Sequence, residues 1–290
     1  MSKVTQHHYN ILYLTENNMK RLLITDLDDT LYDWLGFFIP SFYAMVDEVV
    51  SITGISKSTL LAEYKDKHQY YGSVEYPFVT LKLPSIINHY KGLSENEIKC
   101  CLEEAFHRFN SVRKENLSLY EGVKSTIEKL YNDGITIIGY TESSQENGFF
   151  RLERLGIAKY FKHVYASASS YESKYPISEK VKLVNTKKPN KEVLLEICKC
   201  ENCSIDDAVY VGDSLTKDIY MANKAGITSV LIKHPKTENN YYQLLVDITS
   251  WTEEDFEKER ELKLACESQG IKPNYIISAF DQLKEIVIQN

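Results

Sequence analysis

Two aspartates at the end of an apolar run are the residues of this 290-residue sequence best suited to chemistry. The segment LLITDLDDT places Asp26 and Asp28 two positions apart, directly after the run 22–25. While the chain is extended, side chains two positions apart point to the same side, so both carboxylates face one site. Two like charges this close are costly unless a cation or a shared proton relieves them. A hard divalent cation such as Mg²⁺, which oxygen ligands bind, would do so.

Further polar residues lie just after later apolar runs or at the start of a predicted helix. Thr141 ends the segment IIGYT, where its hydroxyl can either hydrogen-bond a phosphate oxygen or cap the next helix. Lys188 stands directly before Pro189 at the start of a helix, where an ammonium would balance anionic groups. The segment VYVGDSLTKD supplies Asp213 after a glycine that permits a tight turn, and Asp218 in the first turn of the next helix. Acidic residues at a helix start also have a purely structural explanation, since they suit the helix dipole.

Apolar, β-branched runs recur along the chain and predict strands. Each is apolar throughout rather than alternating, as expected of strands covered on both faces in a parallel sheet. Helix-like segments separate most of them, which indicates an α/β fold with a doubly wound parallel sheet, a Rossmann-like core. Ligand sites in such sheets lie beyond the carboxyl ends of the strands, and most of the polar residues above fall there: Asp26, Asp28, Thr141 and Asp213. The runs are 22–25, 135–140, 163–166, 209–211, 229–232 and 275–277.

The alternation of strands and helices fails after the first strand. From about residue 33 to residue 116 the apolar periodicity is helical only. A strand-free block of this size predicts an inserted, all-helical domain. The predicted organisation is a discontinuous core of residues 20–33 and 117–290, a helical domain of residues 34–116, and an N-terminal extension of residues 1–19, with Met19 resembling a natural start.

Taken jointly and in this order, these motifs resemble those of the haloacid dehalogenase superfamily of phosphohydrolases. The resemblance runs from about Lys20 to the end of the chain, and it implies that the helical insertion is a C1-type cap. In that family the first aspartate of the DxDxT motif, here Asp26, is the nucleophile, and the second, here Asp28, is the general acid and base. The family's phosphate-binding residues fall on Thr141 and Lys188.

The resemblance also implies a Mg²⁺ cofactor. Its ligands would be Asp26, the main-chain oxygen of Asp28, and the acidic residues Asp213 and Asp218. The aspartate at position 28 favours the phosphatase branch, because the family's dehalogenases and phosphonatases resemble each other in lacking it.

These features together predict a Mg²⁺-dependent phosphatase that hydrolyses a small phosphorylated metabolite. A carboxylate such as that of Asp26 can attack phosphorus in line to give an aspartyl-phosphate, which splits one difficult displacement into two easier ones. One alternative is a sugar phosphomutase, since relatives with this cap type return the phosphoryl group to the substrate. A second is a non-catalytic binding module on the same fold, which predicts a lost nucleophile or acid.

Composition and charge limit the kinds of partner and the location that can be expected for this protein. Lys and Arg number 34 against 41 Asp and Glu, and a net charge of -7 argues against a nucleic-acid partner. The sequence has no run of about 20 consecutive apolar residues, which predicts no membrane span, and its N-terminal segment lacks the apolar centre of a secretory signal. A cytoplasmic location and reduced thiols for the six cysteines are therefore expected.

Three segments have no assigned role in this scheme. Residues 169–186 are predicted to form a polar loop, and residues 233–272 interpose a long segment whose charged stretch is predicted to be a solvated helix face. The aromatic segment 70–78 either lines the substrate entrance or packs among helices, and packing is the favoured interpretation.

Overall fold

A single sheet of seven parallel strands forms the centre of the computed structural model, which describes residues 20–76, 78–169, 178–235 and 240–288. The strand order is β4-β3-β2-β1-β5-β6-β7. The predicted α/β fold class is confirmed, whereas the predicted extension of residues 1–19 lies outside the described residues. The strands are β1 (Leu22–Thr25), β2 (Thr136–Ser144), β3 (His163–Ser167), β4 (Val181–Val184), β5 (Ala208–Gly212), β6 (Thr228–Ile232) and β7 (Tyr275–Ile277).

Strand β1 lies in the middle of the sheet, hydrogen-bonded to β2 on one side and to β5 on the other. Its side chains alternate between two apolar clusters: Leu23 joins the cluster on one face, and Leu22 and Ile24 join the cluster on the other. All three are fully buried. A strand covered on both faces has no solvent-facing position, and this explains why its sequence is apolar without alternation.

Helices alone make up the regular structure between β1 and β2 in the described residues, as the periodicity predicts. The insertion also holds a short 3-10 helix, Val79–Lys82. Within the block of helical periodicity, residues 98–109 belong to two helices, one on either side of Leu102. The helices from β1 to β2 are α1 (Trp34–Thr53), α2 (Lys57–Tyr71), α3 (Pro84–His89), α4 (Glu95–Cys101), α5 (Glu103–Asn116) and α6 (Val123–Asn132). Those that follow are α7 (Gln145–Arg154), α8 (Lys191–Cys200), α9 (Tyr220–Ala225), α10 (Tyr241–Asp247), α11 (Glu253–Ser268) and α12 (Leu283–Val287).

Helix α1 is the central helix of the insertion and packs along α5. It begins where the Asp33 side chain accepts a hydrogen bond from the Gly36 main chain, and it ends at Gly54, which takes a φ of 71°. By length and hydropathy this helix could cross a membrane, but 44% of its most apolar window is buried inside the protein. Its buried apolar residues, among them Phe38 and Phe42, belong to the larger apolar cluster. We therefore interpret α1 as a core helix of the insertion.

The prediction of a polar loop over residues 169–186 is wrong in part, because β4 lies within it. This strand pairs with β3 at the edge of the sheet, where Val181 stands beside Val164. Lys182 and Leu183 are exposed, so β4 shows neither a fully apolar run nor a clean alternation. Residues 170–177 of the predicted loop lie outside the described residues.

The predicted segment 233–272 joins the insertion to the core. Its helix α10 packs against α1, and the His68 ring on α2 hydrogen-bonds to the main-chain oxygen of Ile248 at 2.7 Å. Helix α11 is mostly exposed, as its charge predicts, yet Glu259 accepts a 2.7 Å hydrogen bond from Thr216 in the turn after β5. The segment thus contacts both the helical insertion and the loop that carries Asp213 and Asp218.

Candidate active site

The candidate residues meet at the carboxyl ends of the three central strands. Asp26 follows β1, Thr141 lies near the end of β2, and Asp213 follows β5. Since β1 is hydrogen-bonded to both other strands in parallel register, these strand ends form one edge of the sheet. This edge is the usual place for ligands in open α/β sheets.

Asp26 is buried and held from both sides of its carboxylate. Lys188 Nζ lies 2.5 Å from Oδ1, and the Thr30 hydroxyl donates to Oδ2 at 3.2 Å. Burial raises the pKa of Asp26 well above its ordinary value, and Asp218 adds to this rise, whereas Lys188 opposes it. Because both oxygens are engaged, the carboxylate has a fixed direction, as an in-line nucleophile requires.

Three carboxylates form the acidic part of the site. Oxygen atoms of Asp26, Asp213 and Asp218 all lie within 4.8 Å of one another. Lys188 also donates to Asp218 at 2.9 Å. Among the described residues, it is Lys188 whose charge pairs with these carboxylates. Loss of hydration, followed by the charges of Asp218 and Asp29, raises the pKa of Asp213 to about 7, although its side chain keeps an exposed face.

The donor set fits a hard divalent cation. The Lys188 ammonium pairs with Asp26 and Asp218, and Asp213 adds a third carboxylate, so the group keeps an excess of negative charge that a second cation would balance. Carboxylate oxygens are the ligands that Mg²⁺ prefers, and Asp213 leaves the group open on one side for water or a substrate oxygen.

The turn after β5 brings Asp218 back to the strand end. Gly212 permits the approach, because a Cβ atom there would lie 2.5 Å from Asp218 Cγ. The main-chain N–H of Ser214 donates to Asp218 Oδ2 at 3.1 Å, and its hydroxyl accepts from the Lys217 main chain. Tyr210 donates to Asp218 Oδ1 at 2.8 Å. Asp218 is therefore fixed from the strand, the turn and Lys188.

The side chain of Asp28 lies outside this acidic group and takes part in a separate network. It accepts hydrogen bonds from the hydroxyls of Tyr32 at 2.9 Å and Ser143 at 2.8 Å, and from Arg151 at 2.8 Å. Thr141 donates to it at 3.1 Å. The main-chain oxygen of Asp28, which the resemblance implies as a metal ligand, stays a prediction.

Thr141 is buried beside Asp28. Its hydroxyl accepts from the Ser143 main chain at 3.0 Å in addition to donating to Asp28. The alternative role of helix cap falls instead to Ser144, whose side chain accepts from the Asn147 main chain at the start of α7. The phosphate-binding roles of Thr141 and Lys188 stay predictions.

Sequence reasoning missed several residues of the site, among them Ser143, Arg151, Glu75 and Tyr210. Ser143 could have been found, because it lies two positions after Thr141 in an extended strand and so faces the same side. Arg151 gives no such signal, since it is one cation on a charged helix, α7. Tyr210 is hidden inside the apolar run of β5.

One charged residue of the aromatic segment 70–78 contacts the site. The rings of Tyr71 and Tyr76 stack with centroids 3.7 Å apart, whereas Tyr70 is 80% exposed. Glu75, between these aromatics, forms an ion pair with Arg151. Neither interpretation of the segment anticipated this contact, and Pro77 lies outside the described residues.

Comparison with known proteins places the chain in a family. The model of the haloacid dehalogenase-like hydrolases matches residues 23–232. A glyceraldehyde 3-phosphate phosphatase of Methanopyrus kandleri is 27% identical over 225 residues, which cover 76% of this chain and 87% of that protein. A phosphoglycolate phosphatase of Vibrio parahaemolyticus is 27% identical over 217 residues, which cover 74% of this chain and 84% of that protein.

Solved structures share the fold. A 2-haloacid dehalogenase of Pseudomonas syringae pv. Tomato superposes with a TM-score of 0.55 at 21% identity, covering 93% of this chain and 98% of that one. At this identity the similarity shows the fold alone.

Proposed function

The chain belongs to the haloacid dehalogenase-like hydrolases, and from this membership we propose that it is a Mg²⁺-dependent phosphatase acting on a small phosphomonoester. Its curated relatives carry phosphatase names, so hydrolysis of phosphoric monoesters is its reaction class. The proposal adds the cofactor, the size of the substrate and the role of each residue.

One observation carries the proposal: Asp26 lies between Lys188 and Thr30, beside two further carboxylates at the sheet edge. An oriented carboxylate next to an ammonium suits attack on a phosphoryl group, because the ammonium offsets the negative charge of the phosphate. A site built only to bind phosphate would have no need of three carboxylates facing it.

The proposed reaction takes place in two displacements. An oxygen of Asp26 attacks phosphorus, the bond to the leaving oxygen breaks, and Asp28 gives that oxygen a proton. Asp28 then takes a proton from water as the water oxygen attacks the phosphorus of the aspartyl-phosphate, which releases phosphate and restores Asp26. Lys188 and Thr141 would hold phosphoryl oxygens during both steps.

Asp26, Asp213, Asp218 and the main-chain oxygen of Asp28 would hold Mg²⁺. When bound, the ion supplies positive charge that offsets the repulsion between the carboxylates and the phosphoryl oxygens. The chain's own residues set the direction of attack and move the protons.

The size of the substrate is inferred from relatives and from the insertion. The two phosphatases described above are named for phosphate esters of a three-carbon aldehyde and a two-carbon acid. We propose that residues 34–116 act as a cap, since Glu75 in that stretch reaches the Arg151–Asp28 pair at the sheet edge. A cap this close to the general acid favours a small leaving group.

The proposal is tested by measuring phosphate release with and without Mg²⁺. The substrates are a panel of sugar phosphates, phosphoglycolate and glyceraldehyde 3-phosphate. We expect stoichiometric release of inorganic phosphate that requires Mg²⁺. An isomerised sugar phosphate without phosphate release would indicate a phosphomutase instead, and binding without turnover would indicate a non-catalytic module.

A further inference from the structure

Arg151 on α7 is a buried cation to which the proposed reaction assigns no role. Its side chain is 5% exposed, and its guanidinium carbon lies 5.1 Å from the ring centre of Phe37. Nη1 donates to Asp28 Oδ1 at 2.8 Å and to Ser143 Oγ at 3.0 Å, while Nη2 donates to the carboxylate of Glu75. A charge this deeply buried is tolerated only when it is paired and hydrogen-bonded.

The guanidinium joins two carboxylates from different parts of the fold. Asp28 follows β1 at the sheet edge, whereas Glu75 lies in segment 70–78 after α2 of the insertion. Because a guanidinium is planar and donates along fixed directions, the position of Glu75 constrains the donor that Arg151 presents to Asp28.

Among the four donors to Asp28 in the described part of the chain, Arg151 alone carries a charge. Charge-assisted hydrogen bonds are roughly twice as strong as neutral ones, so Arg151 has the largest influence on the direction of the carboxyl group. A general acid must lie within hydrogen-bond reach of the leaving oxygen, and its direction therefore controls its efficiency.

We propose that Arg151 is a positioning residue for Asp28, and that the ion pair with Glu75 fixes the position of the Arg151 guanidinium. The inference rests on the proposed function, in which Asp28 protonates the leaving group. Segment 70–78 of the insertion thereby influences proton transfer at the sheet edge through one guanidinium.

The test compares two substrates of nearly equal shape, p-nitrophenyl phosphate and phenyl phosphate. Nitrophenolate leaves with little protonation because the nitro group spreads its charge, whereas phenolate depends more on the acid. Arg151→Gln should lower kcat for phenyl phosphate about ten-fold more than for p-nitrophenyl phosphate. Glu75→Gln should show the same selectivity with a smaller loss, and Arg151→Lys should restore part of the activity towards phenyl phosphate.

Arg154→Gln is the matched control, because Arg154 is an exposed arginine on the same helix and should leave both rates unchanged. Asp26→Asn should abolish turnover of both substrates. Equal losses for the two substrates in Arg151→Gln and Glu75→Gln, with Asp26→Asn inactive, would overturn the positioning role and leave the proposed function intact. Turnover that survives Asp26→Asn would overturn both.

Thermal unfolding shows whether each variant folds. If Arg151→Gln does not fold, the test depends on Glu75→Gln and Arg151→Lys, since both variants keep a cation at position 151. Absence of substrate selectivity in both of these variants overturns the inference.

Discussion

Lys188 Nζ lies 2.5 Å from Asp26 Oδ1, although the two residues are 162 positions apart in the chain. The same ammonium donates to Asp218, so one cation joins the end of β1 to the turn after β5. Burial alone would lower the pKa of Lys188, but the charges of Asp218 and Asp26 raise it well above its ordinary value. Lys188 therefore stays charged in the folded protein and offsets the buried carboxylates.

Lys188→Met should lose activity and stability together. Without the ammonium the buried carboxylates repel each other, and removal of one partner of a buried ion pair typically costs about 3–5 kcal/mol. Urea unfolding without Mg²⁺ measures the loss, and Mg²⁺ should restore part of it. Lys187→Met is the matched control, since Lys187 is exposed and adjacent in sequence. A Lys188→Met protein as stable as the wild type would contradict this account of the site.

Thr30→Val should slow turnover while the fold persists. Valine has nearly the shape of threonine but removes the hydroxyl that donates to Asp26 Oδ2 at 3.2 Å. With one oxygen of the nucleophile released, we expect kcat to fall about ten-fold, which corresponds to one lost hydrogen bond of roughly 1.4 kcal/mol. Thr30→Ser keeps the hydroxyl and should retain most of the activity. Equal kcat values for the Val and Ser variants would show that Thr30 does not orient Asp26.

Asp213→Asn should raise the Mg²⁺ concentration needed for half-maximal activity. The substitution removes one negative charge from the carboxylate group and keeps an oxygen, so affinity falls without a change of shape. We expect a shift of about ten-fold or more in a Mg²⁺ titration of phosphate release. Asp207→Asn, just before β5, is the matched control. An unchanged titration for Asp213→Asn would remove this residue from the metal site.

The buried ring of His68 should make stability depend on pH. Burial lowers the pKa of His68 from 6.5 to about 4, and its Nε2 atom has no hydrogen-bond partner in the described structure. Below pH 6.5 the unfolded chain binds a proton that the folded protein does not, so stability falls as the pH drops from 6.5 to 4. The largest contribution is about 3 kcal/mol.

Urea unfolding between pH 4 and pH 7 measures this contribution. His68→Asn can keep the hydrogen bond to Ile248 and has no titrating group, so its stability should fall less steeply below pH 6.5 than that of the wild type. His107→Gln is the control, because His107 is exposed on α5. Parallel pH profiles for His68→Asn and the wild type would contradict the buried, neutral state of His68.

The sequence predicts the fold and the part of the site that follows buried strands. Asp26 and Asp213 come directly after β1 and β5, and parallel strands bring their carboxyl ends together whatever lies between them. Strand β4 could not be found in this way, since an edge strand with exposed Lys182 and Leu183 lacks the apolar run.

The contacts around Asp28 depend on packing that no local pattern encodes. Arg151 meets Glu75 across 76 positions, and their pairing requires that the insertion lie at a specific place over the sheet edge. The period and spacing of apolar residues indicate which face of a helix or strand is buried. They do not indicate which charged residue of another element that face contacts.

The most direct test of the account is to locate the covalent intermediate. The enzyme is mixed with p-nitrophenyl phosphate and Mg²⁺, quenched in acid during turnover, and digested, and mass spectrometry of the peptides identifies the phosphorylated residue. The account predicts a phosphoryl group on Asp26 that is absent from Asp26→Asn, which should also release no phosphate. A phosphoryl group on another residue, or phosphate release that survives Asp26→Asn, would contradict it.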